Sequence, residues 1–321
     1  MNKAVIIGGG SWGLALAAAI ANKIGKSFIL TSSVSRAKKI NEGSVDKLEI
    51  STSFPDICAG TVSKEVLKDA SLIILATEVN RVLSFSDVIN AYSPRGTTIL
   101  IASKGFCETG EVLPIALKSR INDRFIGVLS GPSFANEVIK EKPTALVVAG
   151  EKSVIDLSIE ILHTNKLRIY GSEDIIGTSV SGAMKNVISI ASGIVFGLEL
   201  GENARAAILT RGLAETSRLV VALGGRIETV FGLAGAGDMA LSSLSPTSRN
   251  FSWGYSLAKN LISKNVLAEG INASRLALLN AKKLRIEMPI TELVEKACSN
   301  KLNLPIEVKN ILERPPKFEW K

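Results

Sequence analysis

The chain has 321 residues, 46% of them hydrophobic, with 38 Lys and Arg against 30 Asp and Glu, a net charge of +8. That length and composition predict a buried core shared by two domains, and exclude a fibre or a wholly disordered chain. No uninterrupted apolar run reaches the roughly 18 residues of a membrane span. The richest stretch, 187–200, is broken by Ser189, Ser192, Gly193 and Gly197. The basic residues are scattered with little aromatic interleaving, which argues against nucleic acid and for attraction of small phosphorylated metabolites. Cys58, Cys107 and Cys298 are too few and too dispersed for a disulfide framework or a thiolate zinc site, and no metal is expected. A glycine cluster follows Lys3 where a leader's apolar stretch would stand, so the expected compartment is the cytoplasm. The single histidine, His163, leaves Lys, Asp and Glu as the groups to move protons.

Ala4–Ile7 is predicted as the first strand, followed by a helix from Ser11 to about Lys23 that is rich in alanine and leucine. Residues 27–30 read as a second strand, and 72–76, 98–102, 125–129 and 145–149 as further short apolar runs bounded by turn formers. Apolar strands separated by helices predict a parallel sheet covered on both faces. From Ser179 onward the period becomes helical. Residues 179–194, 204–223, 252–264, 273–284 and 291–300 each read as a helix, punctuated by Pro289, Pro305 and the Pro315-Pro316 pair. The expected fold class is α/β: a Rossmann-type dinucleotide-binding domain over 1–175, then an all-helical domain over 176–321 for substrate and catalysis. The crevice between them is the expected ligand site.

Gly8-x-Gly10-x-x-Gly13 follows the first strand and opens a helix, the context a dinucleotide-binding loop requires. Gly8 permits the tight turn, Gly10 lets backbone approach a pyrophosphate, and Gly13 lets the helix pack close to the sheet. No Gly-Lys-Ser/Thr follows, which argues against a Walker-type ATP loop, and a flavin is the lesser alternative. After the second strand no acidic residue stands ready for a ribose hydroxyl. The sequence Thr31-Ser32-Ser33-Val34-Ser35-Arg36 offers hydroxyls and an arginine, which suits a 2′-phosphate and favours NADP(H), with NAD(H) still open.

Lys104 sits directly after the run 98–102, at the strand end that faces the ligand crevice in such sheets. Lys185 is placed among small and apolar residues, where an ammonium needs a partner unless it snorkels to the surface. Asp238 ends the nearly uncharged, flexible-looking segment Gly232-Leu233-Ala234-Gly235-Ala236-Gly237, as an ionic partner or as a helix cap. Arg249-Asn250 places an arginine fork beside an amide, a combination suited to phosphate or carboxylate.

Taken together, these motifs resemble the bacterial soluble NAD(P)-dependent glycerol-3-phosphate dehydrogenase family, from Gly8 to about Thr291. The loop Gly8-Gly9-Gly10-Ser11-Trp12-Gly13 and the strand-end Ser103-Lys104-Gly105 are similar to the family's. So are Ser130-Gly131-Pro132-Ser133-Phe134-Ala135, Gly182-Ala183-Met184-Lys185-Asn186-Val187 and Gly235-Ala236-Gly237-Asp238. Ser248-Arg249-Asn250, Ala268-Glu269-Gly270 and Glu287-Met288-Pro289-Ile290-Thr291 complete the likeness.

The resemblance implies reduction of dihydroxyacetone phosphate to sn-glycerol 3-phosphate for phospholipid synthesis, by a cytoplasmic homodimer. It implies Lys185 as general acid, Lys104 and Asn186 holding and polarising the substrate, and Asp238 pairing with the lysines. Gly131, Ser133, Ser242, Arg249 and Asn250 would complete the substrate site, with Ser242 where the family usually has threonine. Gly8, Gly10, Ser11, Trp12, Gly13, Ser32, Ser33, Arg36, Lys104, Ala135, Arg249 and Glu269 would contact the cofactor. The chain departs from the family at Thr77-Glu78, which replace a proline-containing turn, at Ser32-Ser33, at Phe251-Ser252, where further arginines are common, and in the short region 41–54.

Carbonyl reduction needs a group to neutralise and protonate the developing alkoxide. His163 lies far from every motif and reads as structural or exposed, so a lysine is the expected donor. Burial and Lys104 would lower its pKa, while Asp238 would raise it. Two alternatives remain at this level. One is an NADPH-dependent reductase of a carboxylate-bearing ketone such as 2-dehydropantoate. The other is a non-catalytic dinucleotide-binding sensor.

Overall fold

The computed structural model describes residues 2–43, 56–261, 269–299 and 304–312. Ala268, most of the region 41–54, residues 262–264 and 300 of the predicted helices and the basic tail 317–321 lie outside them.

Eight strands form one sheet: β1 (Ala4–Ile7), β2 (Ser27–Thr31), β3 (Ile57–Thr61), β4 (Leu72–Leu75), β5 (Thr98–Ile101), β6 (Phe125–Ser130), β7 (Thr144–Ala149) and β8 (Leu167–Ser172). Their order is β3-β2-β1-β4-β5-β6-β7-β8. The first six follow the dinucleotide-binding order, in which the sheet reverses direction at β1 and β4 and opens a crevice there. The central strands are buried at every position and, Thr98 apart, apolar throughout, as their sequences predict. Helices α1 (Ser11–Ile24), α2 (Val34–Asn41), α3 (Lys64–Leu67), α4 (Val79–Val82), α5 (Ser86–Tyr92), α6 (Leu113–Lys118), α7 (Ala135–Ile139) and α8 (Lys152–Leu162) connect the strands. Two separate cores, one holding Ile6, Leu14 and Ile74 and the other Val5, Ile73 and Ile99, cover the two faces of the sheet.

The sheet is not purely parallel. β7 runs antiparallel to β6, Leu129 opposite Val148. The connection between them holds only the five-residue α7, and it turns the chain back instead of carrying it across the sheet. β3 and β8 were not legible as apolar runs. They are the two edge strands, and in β8 Leu167 and Ile169 are buried while Arg168 and Tyr170 face solvent.

After Ser172 the chain is helical throughout the described residues: α9 (Ile175–Gly197), α10 (Glu202–Ala222), α11 (Ile227–Phe231), α12 (Asp238–Leu244), α13 (Arg249–Ala258), α14 (Glu269–Leu284), α15 (Pro289–Cys298) and α16 (Leu304–Leu312). α9 is the axle of this half. Asp174 caps it, accepting from Gly177 N at 2.8 Å, and the same carboxylate accepts from Arg226 N at 2.8 Å and the Thr229 hydroxyl at 2.6 Å. Among the described residues α9 alone is long and apolar enough to cross a membrane, but 89% of its apolar window is buried inside the protein. Its apolarity therefore serves a protein core.

The late Met288-Pro289-Ile290-Thr291 segment also has a structural use. Glu215 of α10, 1% exposed, accepts from Ile290 N at 2.6 Å, Thr291 N at 3.1 Å and the Thr291 hydroxyl at 2.9 Å. It satisfies the free donors of the first turn of α15. Burial pushes its carboxyl above the usual range, against the pull of those donors.

Candidate active site

The glycine loop sits between the ends of β2 and β4. Gly8 N donates to Leu30 O at 2.8 Å, and Ala76 N donates to Ile7 O at 2.9 Å. Gly8 has φ +131°, and a Cβ there would collide with the Ala76 carbonyl. A Cβ on Gly13 would collide with the Gly8 carbonyl, so this glycine lets α1 seat on the loop. At Gly10 a Cβ would meet nothing within 4 Å, because the position opens into a cavity of about 1100 Å³. No side chain caps α1, so its first N–H groups are left for a ligand. Those features fit a dinucleotide pyrophosphate.

Beyond β2, the expected contacts divide. The Thr31 hydroxyl donates to Ser33 O at 2.7 Å, and the Ser33 hydroxyl accepts from Arg36 N at 3.3 Å as the cap of α2. Ser33 is thus used by the fold and does not line the cavity, whereas Ser32 and Arg36 do. Arg36 Nε donates to Gly9 O at 3.0 Å, which lays its side chain along the glycine loop. On the opposite side, Thr77, Glu78, Arg81 and Phe85 line the same cavity. Of these, Arg81 and Phe85 were missed altogether, because nothing in the sequence marks the short helices after β4 as a cavity wall.

At the other end the cavity reaches the helical half. Asp238, 1% exposed, is held between two lysines. Lys104 Nζ donates to Asp238 Oδ2 and to Gly131 O, the latter at 3.3 Å. Lys185 Nζ lies 3.3 Å from Asp238 Oδ1 and donates to the Ser242 hydroxyl at 2.8 Å. Both lysine side chains are 15% exposed and both line the cavity, so Lys185 does not snorkel away. Asp238 caps no helix with its side chain. The glycine-rich segment before it is not a flexible loop but a π-helical turn, Leu233–Gly237, where a Cβ on Gly235 would collide with the Val230 carbonyl.

Burial pushes the Asp238 carboxyl up, but Lys104 and then Lys185 hold it below the ordinary value. Burial also holds the Lys185 ammonium below its ordinary value, aided by Lys104 and opposed by Asp238 and Glu269. The three groups together carry one net positive charge in a secluded place, which favours a developing oxyanion.

Next to this trio, an amide chain joins three helices. Gly270 N donates to Asn250 Oδ1 at 3.0 Å, Asn250 Nδ2 donates to Asn186 Oδ1 at 2.9 Å, and Asn186 Nδ2 donates to Glu269 Oε2 at 3.4 Å. Arg249 Nη2 lies 3.5 Å from Glu269 Oε1, with its side chain 72% exposed. Arg249 and Asn250 are the first residues of α13, capped by Ser248. The sequence reading began that helix at 252, although a Ser before Arg-Asn and an apolar run is an ordinary start signal. Trp12, Ser11, Ser133, Ala135 and Glu269 also line the cavity, whereas Gly13, Gly131 and Asp238 support its walls from behind. His163 takes no part: its Nδ1 accepts from Ile169 N at 3.1 Å. Among the described residues no group of three or more His, Cys, Asp or Glu could hold a metal ion.

The chain matches two family descriptions: NAD-dependent glycerol-3-phosphate dehydrogenase N-terminus over residues 3–155, and the C-terminus of the same family over 174–309. It is 36% identical over 330 aligned positions to glycerol-3-phosphate dehydrogenase [NAD(P)+] of Neisseria meningitidis, covering 99% of this chain and all of that one. The solved glycerol-3-phosphate dehydrogenase of Coxiella burnetii superposes with a TM-score of 0.90 at 31% identity, over 98% of this chain and 99% of that one. A 2-dehydropantoate 2-reductase structure from Bacillus subtilis shares the fold alone, with a TM-score of 0.60 and 16% identity over 94% of this chain and all of that one. Both halves of the chain, and the cavity they enclose, thus belong to the NAD(P)-dependent glycerol-3-phosphate dehydrogenase family of oxidoreductases.

Proposed function

We propose that the chain reduces dihydroxyacetone phosphate to sn-glycerol 3-phosphate, with NADPH as the preferred reductant, and so supplies phospholipid synthesis. Residues 1–175 hold the dinucleotide and 176–321 the substrate-facing helices. The observation that carries this reading is that Lys104 and Lys185, which both line the cavity that begins at the glycine loop, share the Asp238 carboxylate behind its wall. The dinucleotide, when bound, supplies the hydride. Lys185 gives a proton to the carbonyl oxygen as charge builds there, and Lys104 stabilises the same charge. Asp238 holds both ammonium groups, while Gly131 and Ser242 act through the lysines they bind. Arg249 grips the substrate phosphate beside Asn250 and Asn186, and Ser133 lines the same space.

The preference for NADPH rests on Ser32 and Arg36 at the cavity, and on the absence of an acidic residue directly after β2. Family kinship supports a cytoplasmic homodimer with no part in nucleic-acid binding. Two lysines on one carboxylate at the cavity, with Arg249 beside them, favour catalysis over a sensor.

The test is NADPH oxidation with dihydroxyacetone phosphate, repeated with NADH. Lys185→Ala is expected to lose about 10²–10⁴-fold in turnover while still binding NADPH. Full turnover in that variant would overturn the assignment, and a Michaelis constant for NADPH no lower than that for NADH would overturn the cofactor preference.

A further inference from the structure

Lys104 reaches Asp238 from a segment that belongs to neither half by itself. On its near side, the Ser103 hydroxyl donates to Thr77 O at 2.6 Å and fixes the end of β5. Gly105 then packs so tightly on Val79 that a Cβ would come within 2.8 Å of it. From there the chain leaves the sheet. Phe106 and Val112 pair as an isolated antiparallel bridge, and both are buried in the core of the helical half, at 2% and 6% exposed.

The turn between them is closed by Gly110 N donating to Cys107 O at 2.8 Å and Cys107 N donating to Glu111 O at 3.0 Å. An asparagine side chain adds a hydrogen bond from the helical half to this turn. Asn280 of α14, 8% exposed, donates from Nδ2 to Gly110 O at 2.7 Å and to Leu276 O at 3.1 Å, using both amide protons. Gly110 has φ +86°, and a Cβ there would come within 2.9 Å of Leu279, so the turn is seated directly on α14. α14 begins at Glu269, on the cavity, and reaches Asn280 after eleven residues, about 16 Å along its axis. One helix therefore touches the site at its first turn and, three turns further on, holds the Lys104 segment.

We infer that Asn280 is a positioning residue for this site: by holding the Cys107–Glu111 turn on α14, it fixes the direction from which Lys104 meets Asp238. The inference takes the roles of Lys104 and Lys185 from the proposed function. Without that bond the 107–111 turn shifts on α14, and the Lys104 ammonium draws back from the carboxylate while Ser103 and Gly105 still hold the backbone on either side of it. The groups facing Lys185 are then Asp238 from α12 and Glu269 from α14, without the repulsion of Lys104. Lys185 accordingly holds its proton to higher pH.

The experiment compares the full-length wild type with Asn280→Ala and the near-isosteric Asn280→Asp, which cannot donate to Gly110. Both variants are expected to lose about tenfold or more in kcat. The Michaelis constant for NADPH should stay within about twofold, and the alkaline limb of the rate should move to higher pH. In the ligand-free proteins, the Lys185 titration followed by NMR should move the same way, and the amides of residues 107–111 should exchange faster. An unmoved Lys185 titration in a variant that folds would overturn the inference, as would a lowered melting temperature with kcat unchanged. Failure of the wild type to reduce dihydroxyacetone phosphate would count against the proposed function alone, since the titration needs no substrate.

Discussion

Asp238 is shared by two ammonium groups, Lys104 at the shorter contact and Lys185 at 3.3 Å. Removing one partner from a buried ion pair costs about 3–5 kcal/mol, because the other is left in a poor solvent. Here the partner is shared, and the consequence is a proton donor tuned downward. Burial is the largest influence on Lys185 and lowers its pKa, Lys104 lowers it further, and Asp238 is the main force in the other direction. A general acid works only while protonated, so reduction should fade as pH rises through a value below the roughly 10.4 of a free lysine. Asp238→Asn removes the attraction and leaves the repulsion. The alkaline limb of kcat should therefore move to lower pH, opposite in sign to the shift expected when Lys104 is displaced. A pH–rate profile decides it, and a limb that rises or stays would contradict the charge assignment. Lys185 and Asp238 stood out because a charge among small apolar residues needs a partner, and Lys104 because it follows a strand end, while the roles expected of them came from the family resemblance. The roles of Ser33 and Asn280 were not legible, since a hydroxyl's choice between capping and ligand binding is made by its neighbours in space.

Between α9 and α13 the contact is made by glycines on both helices. A Cβ on Gly193 would collide with the Phe251 carbonyl, and a Cβ on Gly254 would collide with the Ile190 carbonyl. The two notches let the helix bearing Lys185 and Asn186 lie against the helix whose first residues are Arg249 and Asn250. In an exposed helix, replacing glycine by alanine gains about 1 kcal/mol of helix propensity. Here the obstacle is backbone, which cannot rotate away, and overpacking of that kind costs about 1–3 kcal/mol. The clash wins. Gly254→Ala should lower the melting temperature and raise the Michaelis constant for the ketone phosphate more than that for NADPH, because it moves α13 and leaves the glycine loop alone. A variant as stable as the wild type would show that the helices part without cost. The helices themselves were mostly visible as period, including α9 and α10 to within a few residues of each end. What the pattern hid was the π-helical turn before Asp238, where three glycines in six residues read as slack although they permit a close backbone crossing.

At the scale of the whole molecule, apolar runs alternating with helices announce a parallel sheet although β3 left no such run, and the reversal at β1 and β4 fixes where a ligand can enter. The antiparallel β7 breaks the alternation, and no single strand's sequence records the direction of its neighbour. Charge, by contrast, is read directly from composition. The net charge of +8 is spread along the chain, and the cavity adds Arg36, Arg81, Arg249, Lys104 and Lys185 against Glu78 and Glu269 on its walls. Such a field draws anions toward the crevice before any contact forms, and salt screens it with a length of about 8 Å at physiological ionic strength. With dihydroxyacetone phosphate, kcat/KM should therefore fall steadily as ionic strength rises at saturating NADPH. With the neutral ketone dihydroxyacetone, the same titration should be nearly flat. Arg249→Ala should reduce the slope for the phosphate without removing it, because the remaining cations still act at a distance. Equal slopes for the charged and neutral ketones would mean that the positive charge serves solubility, and that recognition of the phosphate begins only at contact.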